Sequence, residues 1–448
     1  MILAAKLRQF LQNKDRKEKD FVFICLLYLF LLPLHEQISV YMQKEKLILC
    51  LFAIVHVLVS ASAASRSYKA VGKTAYAYDL KDAKGLQTDR KGQQTDVKGL
   101  PTDGKLTIRP LLQQLGEQLL KGKTGSIVAI DPANGEILCL ATNTPNGSDV
   151  RQAIGKPQAP GSTFKTAQAL TLLSEGIITP QTTIECVDGV TDGNIKVRCH
   201  KHRSPLTLKE ALAQSCNTWF LMTFASMIND DFMYETKEES ITTWRSYMQS
   251  MGLGGPMHID IEGEQGGLLA GADYLNRRYK NGWDGRTIWW AGMGQGDVTC
   301  TALQLCNLAV TIANRGWYYV PHIHQDTKNE RYLTKRQTKV KQEAYAPVIE
   351  GMRMAVEKGT ATSIKTTYPI CGKTGTIENP GDDHSAFIAF APMDHPKIAI
   401  SVYVEHGGFG ADLAAPMAGI VIEQYLKGKL SEASKTKAKR ISDRTINK

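Results

Sequence analysis

The chain has 448 residues, of which 43 % are hydrophobic and 22 % charged, so its bulk has the composition of an ordinary globular protein. Its 54 basic and 44 acidic side chains leave a net charge of +10. Residues 427–448 hold eight Lys or Arg and two acids, so this tail accounts for six of the ten excess charges. The rest of the chain shows no pattern typical of nucleic-acid binding, and we expect no nucleic-acid partner. Nine cysteines without a regular spacing do not describe a disulfide framework.

Two apolar runs lie near the start of the chain. The first, residues 21–34, is short for a bilayer-spanning helix. The second, residues 47–59, follows two lysines and ends in small residues, which is typical of a secretory signal peptide. We therefore predict a signal peptide or membrane anchor over residues 42–64, preceded by an extension over residues 1–41 that is absent if translation starts at Met42. The rest of the chain would then lie on the exported face of the membrane, periplasmic or extracellular.

Residues 84–104 repeat Lys-Gly and Thr-Asp three times with a period of seven. Gly and Asp in every copy exclude a coiled-coil seam, so residues 65–104 are predicted to be a flexible tether. The folded body is expected over residues 105–427. The basic residues 428–448 are predicted to be a disordered tail, because almost no apolar side chain follows Leu430.

The folded body begins and ends with strand patterns, and a mostly helical stretch up to residue 313 separates them. The predicted elements are a helix at 111–120, strands at 127–131 and 137–142, a strand that carries residues 373–375, strands at 385–391 and 397–404, and a helix at 413–426. Strands at both ends with helices between them imply an α+β fold. We expect an antiparallel sheet built from both ends of the domain, flanked by helices, with a helical insert.

A serine and a lysine open the first long helix of that insert. Ser162 follows a Pro-Gly bend, Lys165 comes one turn later, and residues 166–174 have the apolar density of a buried helix. The Ser162 hydroxyl would lie at the positive end of the helix dipole. A lysine in apolar surroundings can lose its proton and act as the base that a nucleophilic serine needs. The alternative is that Ser162 only caps an ordinary helix, since Ser-x-x-Lys occurs by chance in many chains.

A second polar motif, residues 215–217, interrupts two apolar helices. A capping box at Thr207 and Glu210 starts the first helix, and an apolar stretch resumes directly after the motif. Ser215 and Asn217 therefore place a hydroxyl and an amide on a short bend between packed helices. A plain helix cap is the alternative.

The third motif, residues 373–375, lies on a late predicted strand. Lys373 and Thr374 offer a cation and a hydroxyl there, and Gly375 would let a substrate backbone approach closely. An ordinary junction between a strand and a turn is the alternative.

In this order and in these contexts, the three motifs resemble those of the penicillin-binding proteins and serine β-lactamases. Over roughly residues 105–426, the chain is similar to the transpeptidase domain of class B penicillin-binding proteins, in particular the elongation-type, penicillin-binding protein 2-like members. The similarity also covers residues 130–137, 160–162, 294–296, 387–392 and 414–416. The separation of 158 residues between Ser215 and Lys373 is more similar to transpeptidases than to compact β-lactamases.

This resemblance implies a role for each motif residue. It implies that Ser162 is the nucleophile and that Lys165 is its general base. It implies that Ser215 relays a proton and that Lys373 is the cation that polarises the Ser215 hydroxyl. It implies substrate binding by Asn217, Thr374, Gly375 and Thr376, with the backbone N–H groups of Ser162 and Thr376 as the oxyanion hole.

The reaction implied by the resemblance is attack on the D-Ala–D-Ala bond of a peptidoglycan stem peptide, without a cofactor. An acyl-enzyme forms on Ser162, and the amine of a second stem peptide resolves it. The resemblance also implies that β-lactams act as covalent inhibitors and that the partners belong to the cell-wall synthesis machinery. Two alternatives stay open. One is a D,D-carboxypeptidase or β-lactamase in which water resolves the acyl-enzyme, and the other is a β-lactam-sensing binding domain.

Two features depart from the pattern of the family. The family usually carries an N-terminal pedestal domain, whereas residues 65–104 are too few and too polar to form a packed domain. Cys186, Cys199, His200 and His202 offer four ligands for zinc, but their spacing is not an established pattern. We expect core or disulfide-bonded cysteines beside solvent-facing histidines, and no metal.

Overall fold

The structure, a computed structural model of the protein, describes residues 98–446 except 102–103 and 193–194. The predicted extension, the signal peptide or anchor, and residues 65–97 of the predicted tether lie outside the described residues. Within the described part, no helix combines the length and the apolar character needed to cross a membrane.

Five antiparallel strands form the main sheet, in the order β2–β1–β11–β10–β9. In chain order the strands are β1 (Gly125–Ile130), β2 (Ile137–Asn143), β3 (Thr183–Ile184), β4 (Gly189–Asp192), β5 (Ile195–Arg198), β6 (Leu206–Thr207), β7 (Trp317–Tyr318), β8 (Arg336–Gln337), β9 (Cys371–Ile377), β10 (His384–Ala391) and β11 (Ile398–Val404). The main sheet takes two strands from the beginning of the body and three from its end. The predicted sheet built from both ends of the domain is therefore confirmed.

Helices occupy much of the chain between β2 and β9. In chain order, the helices of the described residues are α1 (Pro110–Leu120), α2 (Arg151–Ile154), α3 (Lys165–Glu175), α4 (Leu208–Gln214), α5 (Asn217–Ile228), α6 (Lys237–Ser250), α7 (Ala272–Arg278), α8 (Ala302–Ala313), α9 (Glu330–Leu333), α10 (Tyr345–Lys358), α11 (Ala414–Lys427) and α12 (Glu432–Asp443). Of these, α2 to α10 lie between β2 and β9. Short 3₁₀ turns lie at Gly161–Phe164, Trp289–Met293 and Gln342–Ala344. The helical insert is confirmed, and with it the predicted α+β fold.

The main sheet is covered on both faces. Along β10, Phe387 and Ala389 pack with the layer of α1 and α11, whereas Ile388 and Phe390 pack with α8 and the helical insert. Successive side chains of a strand point to opposite faces, so the continuous apolar runs of the central strands serve both layers. β9 is an edge strand, and this position brings its polar motif to the boundary between the sheet and the insert.

Small hairpins break the helical insert, which the sequence analysis did not predict. β4 pairs with β5 from Gly189 to Arg198. Val197 is buried there, while its neighbours Lys196 and Arg198 are exposed. This alternation is the period-two pattern of a strand with one buried face, so a signal for the hairpin was present in the sequence.

The prediction of a disordered tail is wrong for residues 432–443, which form α12. The Ser431 side chain caps this helix by accepting a hydrogen bond from the Ser434 N–H. Ala438 and Ile441 are only 4 % and 6 % exposed, and they pack with the layer of α1 and α11. Polar contacts also hold the helix, because Ser434 Oγ donates to Glu423 and Lys437 Nζ donates to Ser363 O at 2.9 Å. Composition alone indicates disorder because it does not reveal these tertiary contacts.

The boundary predicted at residue 105 also differs from the structure. Lys98 donates its backbone N–H to Ser148 O at 3.2 Å, and its carbonyl accepts from the Val150 N–H at 3.0 Å. Leu100 is buried. The end of the predicted flexible tether therefore packs on the loop after β2, and the prediction of flexibility is wrong for residues 98–100.

We expect Ile441→Ala to lower the free energy of unfolding by about 2 kcal/mol, because removing a buried branched side chain leaves a cavity. Chemical denaturation followed by circular dichroism measures this change. The control is Lys435→Ala on the exposed side of α12, for which we expect a change within about 0.5 kcal/mol. Near-zero effects of both substitutions would contradict the docking of α12.

Candidate active site

Ser162 lies in a tight turn that opens α3. The 3₁₀ turn Gly161–Phe164 runs directly into the α-helix at Lys165. Gly161 has a φ of +56°, and its N–H donates to Gly294 O at 2.8 Å. A Cβ on Gly294 would lie 2.4 Å from Gly161 O, so only glycine allows this close approach. The sequence motif at residues 294–296 therefore supports the serine turn.

Gly375 fits against another side of the same turn. A Cβ on Gly375 would lie 3.0 Å from Thr163 Cγ2 and 3.2 Å from Pro160 O. The absence of a side chain on β9 thus makes room for the serine turn. This packing is a reason for glycine that the sequence did not reveal, while the approach of a substrate backbone to Gly375 stays a prediction.

The Lys165 side chain is completely buried. Its Nζ donates to Ser215 O at 2.9 Å and to Asn217 Oδ1 at 2.6 Å. Burial lowers the pKa of Lys165 to about 8. A neutral amine has two hydrogens and one lone pair. Because two hydrogens are donated to these acceptors, the lone pair is left to accept a proton.

Lys373 is the second completely buried lysine. Its Nζ donates to Ser215 Oγ at 2.7 Å and to Thr374 O at 3.0 Å. Burial and, second, the charge of Lys165 hold the pKa of Lys373 well below its usual value. Neither lysine forms a salt bridge with a carboxylate in the part of the chain that the structure describes. Neutral oxygen atoms therefore satisfy both buried amines.

Ser215 connects the two lysines, because its carbonyl accepts from Lys165 and its hydroxyl accepts from Lys373. Ser215 ends α4 in the left-handed conformation, with φ 56° and ψ 37°. The Cys216 N–H donates to Ala211 O at 3.0 Å, which closes the end of the helix in the manner usual for glycine. A serine in this conformation carries backbone strain of about 1 kcal/mol.

Asn217 begins α5 with both atoms of its amide already bonded. Its Oδ1 accepts from Lys165, and its Nδ2 donates to Arg198 O at 2.9 Å. The amide therefore links the hairpin of β4 and β5 to the buried lysine. One hydrogen of Nδ2 remains for a ligand, and Asn217 lines the cleft described next.

These groups surround a cleft of about 370 Å³. Five of the predicted catalytic and substrate-binding residues lie on its lining: Ser162, Ser215, Asn217, Thr374 and Thr376. Lys165 and Lys373 are buried next to the lining, where each donates to Ser215. The structure therefore brings the three sequence motifs to one place, with Gly375 packed behind the serine turn rather than on the lining.

Sequence reasoning missed several residues of the cleft, namely Met293, Thr360, Glu378, Asp383, Phe409 and Ala411. Thr360 Oγ1 lies 2.7 Å from Thr374 Oγ1 and shares a hydrogen bond with it. Glu378 directly follows β9 and comes only a few residues after Lys373 in the sequence. This proximity to the third motif was a signal from which its place at the cleft could have been predicted. Phe409 is 63 % exposed, and no pattern in the sequence points to it.

A cluster of three thiols and one imidazole lies against the Ser215 motif. The ligand atoms of Cys186, Cys199, His202 and Cys216 all lie within 4.8 Å of one another. His200, which the sequence analysis grouped with them, lines the cleft instead. Cys216 from the middle of the second motif takes its place. Every cysteine among the described residues is a free thiol.

A serine turn at a helix start, a serine on an interhelical bend and a lysine on the edge strand of an antiparallel sheet are typical of the serine class of penicillin-recognising proteins. The chain belongs to the penicillin binding protein transpeptidase domain family, whose sequence model matches residues 125–423. The relatives that follow are of the class B, penicillin-binding protein 2-like kind.

Two named relatives and one solved structure illustrate the similarity. The chain is 30 % identical over 363 residues to the peptidoglycan D,D-transpeptidase MrdA of Acinetobacter baumannii, an alignment that covers 68 % of this chain and 52 % of MrdA. It is 25 % identical over 382 residues to the peptidoglycan D,D-transpeptidase PbpA of Mycolicibacterium smegmatis, with 72 % of each chain covered. The structure of Pseudomonas aeruginosa PBP2 in complex with WCK 5153 is similar with a TM-score of 0.63 and 27 % identity, over 73 % of this chain and 77 % of that one. The chain spans about half the length of the MrdA relatives.

We expect the Ser215→Gly and Ser215→Ala variants to differ from each other in stability but to lose activity to the same extent. Glycine adopts the left-handed conformation without strain, so the Gly variant should be more stable than the Ala variant by about 1 kcal/mol. Both variants lack the hydroxyl that accepts from Lys373, and we expect acylation of each by penicillin to fall by about 100-fold or more. Thermal unfolding and acylation kinetics measure the two effects. An Ala variant as stable as the Gly variant would contradict the backbone strain, and an active one would contradict the role of the hydroxyl.

Proposed function

We propose that this chain is a peptidoglycan D,D-transpeptidase that cross-links stem peptides through an acyl-enzyme on Ser162. The observation that carries this proposal is the position of Ser215, whose carbonyl and hydroxyl accept from two buried lysines next to the Ser162 cleft. Two similar proteins, MrdA of A. baumannii and PbpA of M. smegmatis, are named peptidoglycan D,D-transpeptidases. These names support the D-Ala–D-Ala end of a stem peptide as the donor.

In the proposed acylation, the lone pair of neutral Lys165 takes the Ser162 proton while Oγ attacks the carbonyl carbon of the penultimate D-Ala. The backbone N–H groups of Ser162 and Thr376 stabilise the negative charge on the carbonyl oxygen. The bond to the terminal D-Ala then breaks, and Ser215 gives its hydroxyl proton to the leaving nitrogen. Ser215 Oγ regains the proton that Lys165 took from Ser162, so Lys165 is neutral again. Lys373 donates a hydrogen bond to Ser215 Oγ, so it stabilises this oxygen while the proton is passed on.

The proposed substrate contacts follow the lining of the cleft. Thr374 and Thr376 would bind the terminal carboxylate through their hydroxyls, and the nearby charge of Lys373 would attract it. Thr360 holds the Thr374 hydroxyl through their shared hydrogen bond. The free Nδ2 hydrogen of Asn217 would bind the carbonyl of the donor peptide.

The amine of a second stem peptide would resolve the acyl-enzyme and form the cross-link. Resolution by water would make the protein a D,D-carboxypeptidase, or a β-lactamase when the acyl group comes from a β-lactam. The names of the relatives support the amine. A β-lactam-sensing domain without catalysis is less favoured, because the cleft combines a nucleophile, a base and a proton relay.

We place the proposed reaction on the exported face of the membrane, with residues 42–64 as the signal peptide or anchor. The order of basic, apolar and small residues in that segment supports export. Partners in the cell-wall synthesis machinery are proposed from the similarity to a chain in a solved peptidoglycan synthase complex, with a TM-score of 0.63 and 26 % identity.

The first test of this proposal is labelling of the chain with a fluorescent penicillin. We expect a covalent adduct that persists for many minutes on the unaltered chain and no adduct on Ser162→Ala. Thr163→Ser, next to the nucleophile, is the matched control and should still label. Labelling that survives in Ser162→Ala would contradict an acyl-enzyme at this position, and loss of the adduct within seconds would favour the β-lactamase alternative.

The rate of acylation should rise with pH, with a midpoint near the Lys165 pKa of about 8. Lys165 acts as a base only when neutral, so the rate increases as the amine loses its proton and levels off above that pH. Stopped-flow measurement of penicillin acylation across a pH series determines the midpoint.

Asn217→Asp provides the control for this pH dependence. A carboxylate next to Lys165 Nζ favours the charged amine, so the midpoint should move up by about one pH unit or more. A midpoint that stays in place in Asn217→Asp would contradict Lys165 as the titrating base.

We also propose that Cys186, Cys199, His202 and Cys216 hold a zinc ion, contrary to the expectation of no metal from the sequence. Three thiolates and one imidazole are ligands that structural zinc sites use. A tetrahedral site with zinc–sulfur bonds of about 2.3 Å separates its sulfur atoms by about 3.8 Å. The observed limit of 4.8 Å between all ligand atoms is compatible with this geometry.

Hydrogen bonds around the cluster support the zinc proposal. His202 Nδ1 lies 2.6 Å from Arg203 O, and its Nε2 lies 3.3 Å from Cys199 Sγ. A hydrogen bond from one ring nitrogen to a carbonyl leaves the other nitrogen free to bind a metal. The Asn217 N–H also donates to Cys199 Sγ at 3.4 Å. A zinc ion there would fix the hairpin of β4 and β5 to residues 215–217.

Metal analysis of the purified chain should find about one zinc ion per chain. Cys216→Ser should lose the zinc and lower the melting temperature. Cys300→Ser, at a buried cysteine outside the cluster, is the control that should keep the zinc. Clearly less than one zinc per chain in the unaltered protein would exclude this proposal.

A further inference from the structure

One side of α12 carries a line of cations that lacks acidic partners. Lys437 and Arg440 lie on one side of the helix, because their spacing of three residues is close to one turn. Arg444 follows directly after the helix, which ends at Asp443. Lys365, from the segment before β9, adds its charge near Lys437. We call these four residues the basic line. None of them forms a salt bridge with any acid of the described residues.

The positive charge of the basic line acts on the pKa values of two lysines, Lys437 within the line and Lys123 beside it. Burial, followed by the charges of Arg440 and Lys365, lowers the pKa of Lys437. At the other end of the line, burial and then the charge of Arg444 lower the pKa of Lys123 to about 8, while the charge of Asp443 opposes this shift. Like charges that lie this close destabilise the folded chain unless an anion binds to them.

Another exposed side of α12 is neutralised by its own residues. Lys435 lies 2.7 Å from Glu432, and Lys439 lies 2.6 Å from Asp443. The helix therefore has one side with paired charges and one side with an unpaired positive charge. This difference supplies a control for any test of binding.

The basic line lies on the opposite face of the main sheet from the serine turn. α12 packs with α1 and α11 on one face, whereas α3 and α4, which carry or lead into the two catalytic motifs, belong to the core on the other face. A flat surface in contact with α12 would therefore leave the Ser162 side free to bind a substrate.

The end of the basic line lies close to where the described chain begins. The Ile446 N–H, two residues after Arg444, donates to Gly122 O at 3.0 Å. Asn143 Nδ2 donates to Lys123 O at 2.6 Å, and the Lys98 segment bonds to the loop that follows Asn143. The predicted anchor precedes this segment in the sequence, so at the proposed location the anchor would tether the chain to a membrane.

We propose that the basic line binds the anionic headgroup surface of a phospholipid membrane. Arginine presents its donors in a fork that matches phosphate oxygens, and a headgroup layer offers many phosphates without requiring a pocket. Each Lys or Arg at such a surface strengthens binding about fivefold. An anchor makes this contact intramolecular, so a weak attraction is sufficient. The inference rests on the proposed location at a membrane but not on the chemistry of Ser162.

Hydrogen exchange of the full chain in lipid nanodiscs tests this inference. We expect the amides of α12 to exchange at least about threefold more slowly in discs with anionic lipid than in neutral discs, because binding to the folded helix suppresses its opening. Salt at about 0.5 M should remove the difference. Equal exchange in neutral and anionic discs would overturn the proposal, and an acidic protein would then be the better partner for this surface.

Two charge-reversal variants with the same net charge provide the control. Arg440→Glu with Arg444→Glu should abolish the effect of anionic lipid, whereas Lys435→Glu with Lys439→Glu should largely keep it. An equal loss in both variants would show attraction by net charge alone and would overturn a role for the basic line. Circular dichroism reports folding in each variant, and fluorescent-penicillin labelling of Ser162 reports the proposed enzyme separately. A chain that does not label but still responds to anionic lipid would contradict the proposed enzyme while supporting this surface.

Discussion

The carbonyl and the hydroxyl of Ser215 accept hydrogen bonds from two lysines that are both completely buried. Removing an amine from water is costly unless acceptors replace the water, and among the described residues no carboxylate compensates the charge of either amine. The low pKa values that follow from this burial allow Lys165 to serve as a base near neutral pH. The left-handed conformation of Ser215 is the constraint on which this arrangement depends, because it directs one residue toward both amines.

The remaining structure holds three separate segments around that serine. The edge position of β9 brings Lys373 to the boundary between sheet and insert. Glycines at 294 and 375 allow the Ser162 turn to pack against its neighbours at distances that a side chain would prevent. Asn217 ties the hairpin of β4 and β5 to Lys165. A few close contacts thus hold these segments, which are distant in sequence, around Ser215.

The sequence predicted what local patterns determine. Apolar runs identified the strands, the capping box identified the start of α4, and the order of the three motifs led to the family. It could not predict features that depend on tertiary contacts. Ala438 and Ile441 stabilise α12 only because an apolar layer receives them, and composition alone suggested disorder. Cys216 replaces His200 in the thiol cluster because the bend at Ser215 turns it toward Cys199. Thr360 reaches the cleft because its N–H donates to Ala213 O and its hydroxyl shares a hydrogen bond with Thr374.

The products formed from a pentapeptide donor and an amine-bearing stem peptide, analysed by mass spectrometry, test the central claim most directly. We predict that the unaltered chain releases D-Ala and forms a cross-linked peptide, and that Ser162→Ala does neither. Release of D-Ala with transfer to water alone would contradict a transpeptidase. A cross-linked product from Ser162→Ala would contradict the acyl-enzyme on which the proposed mechanism depends.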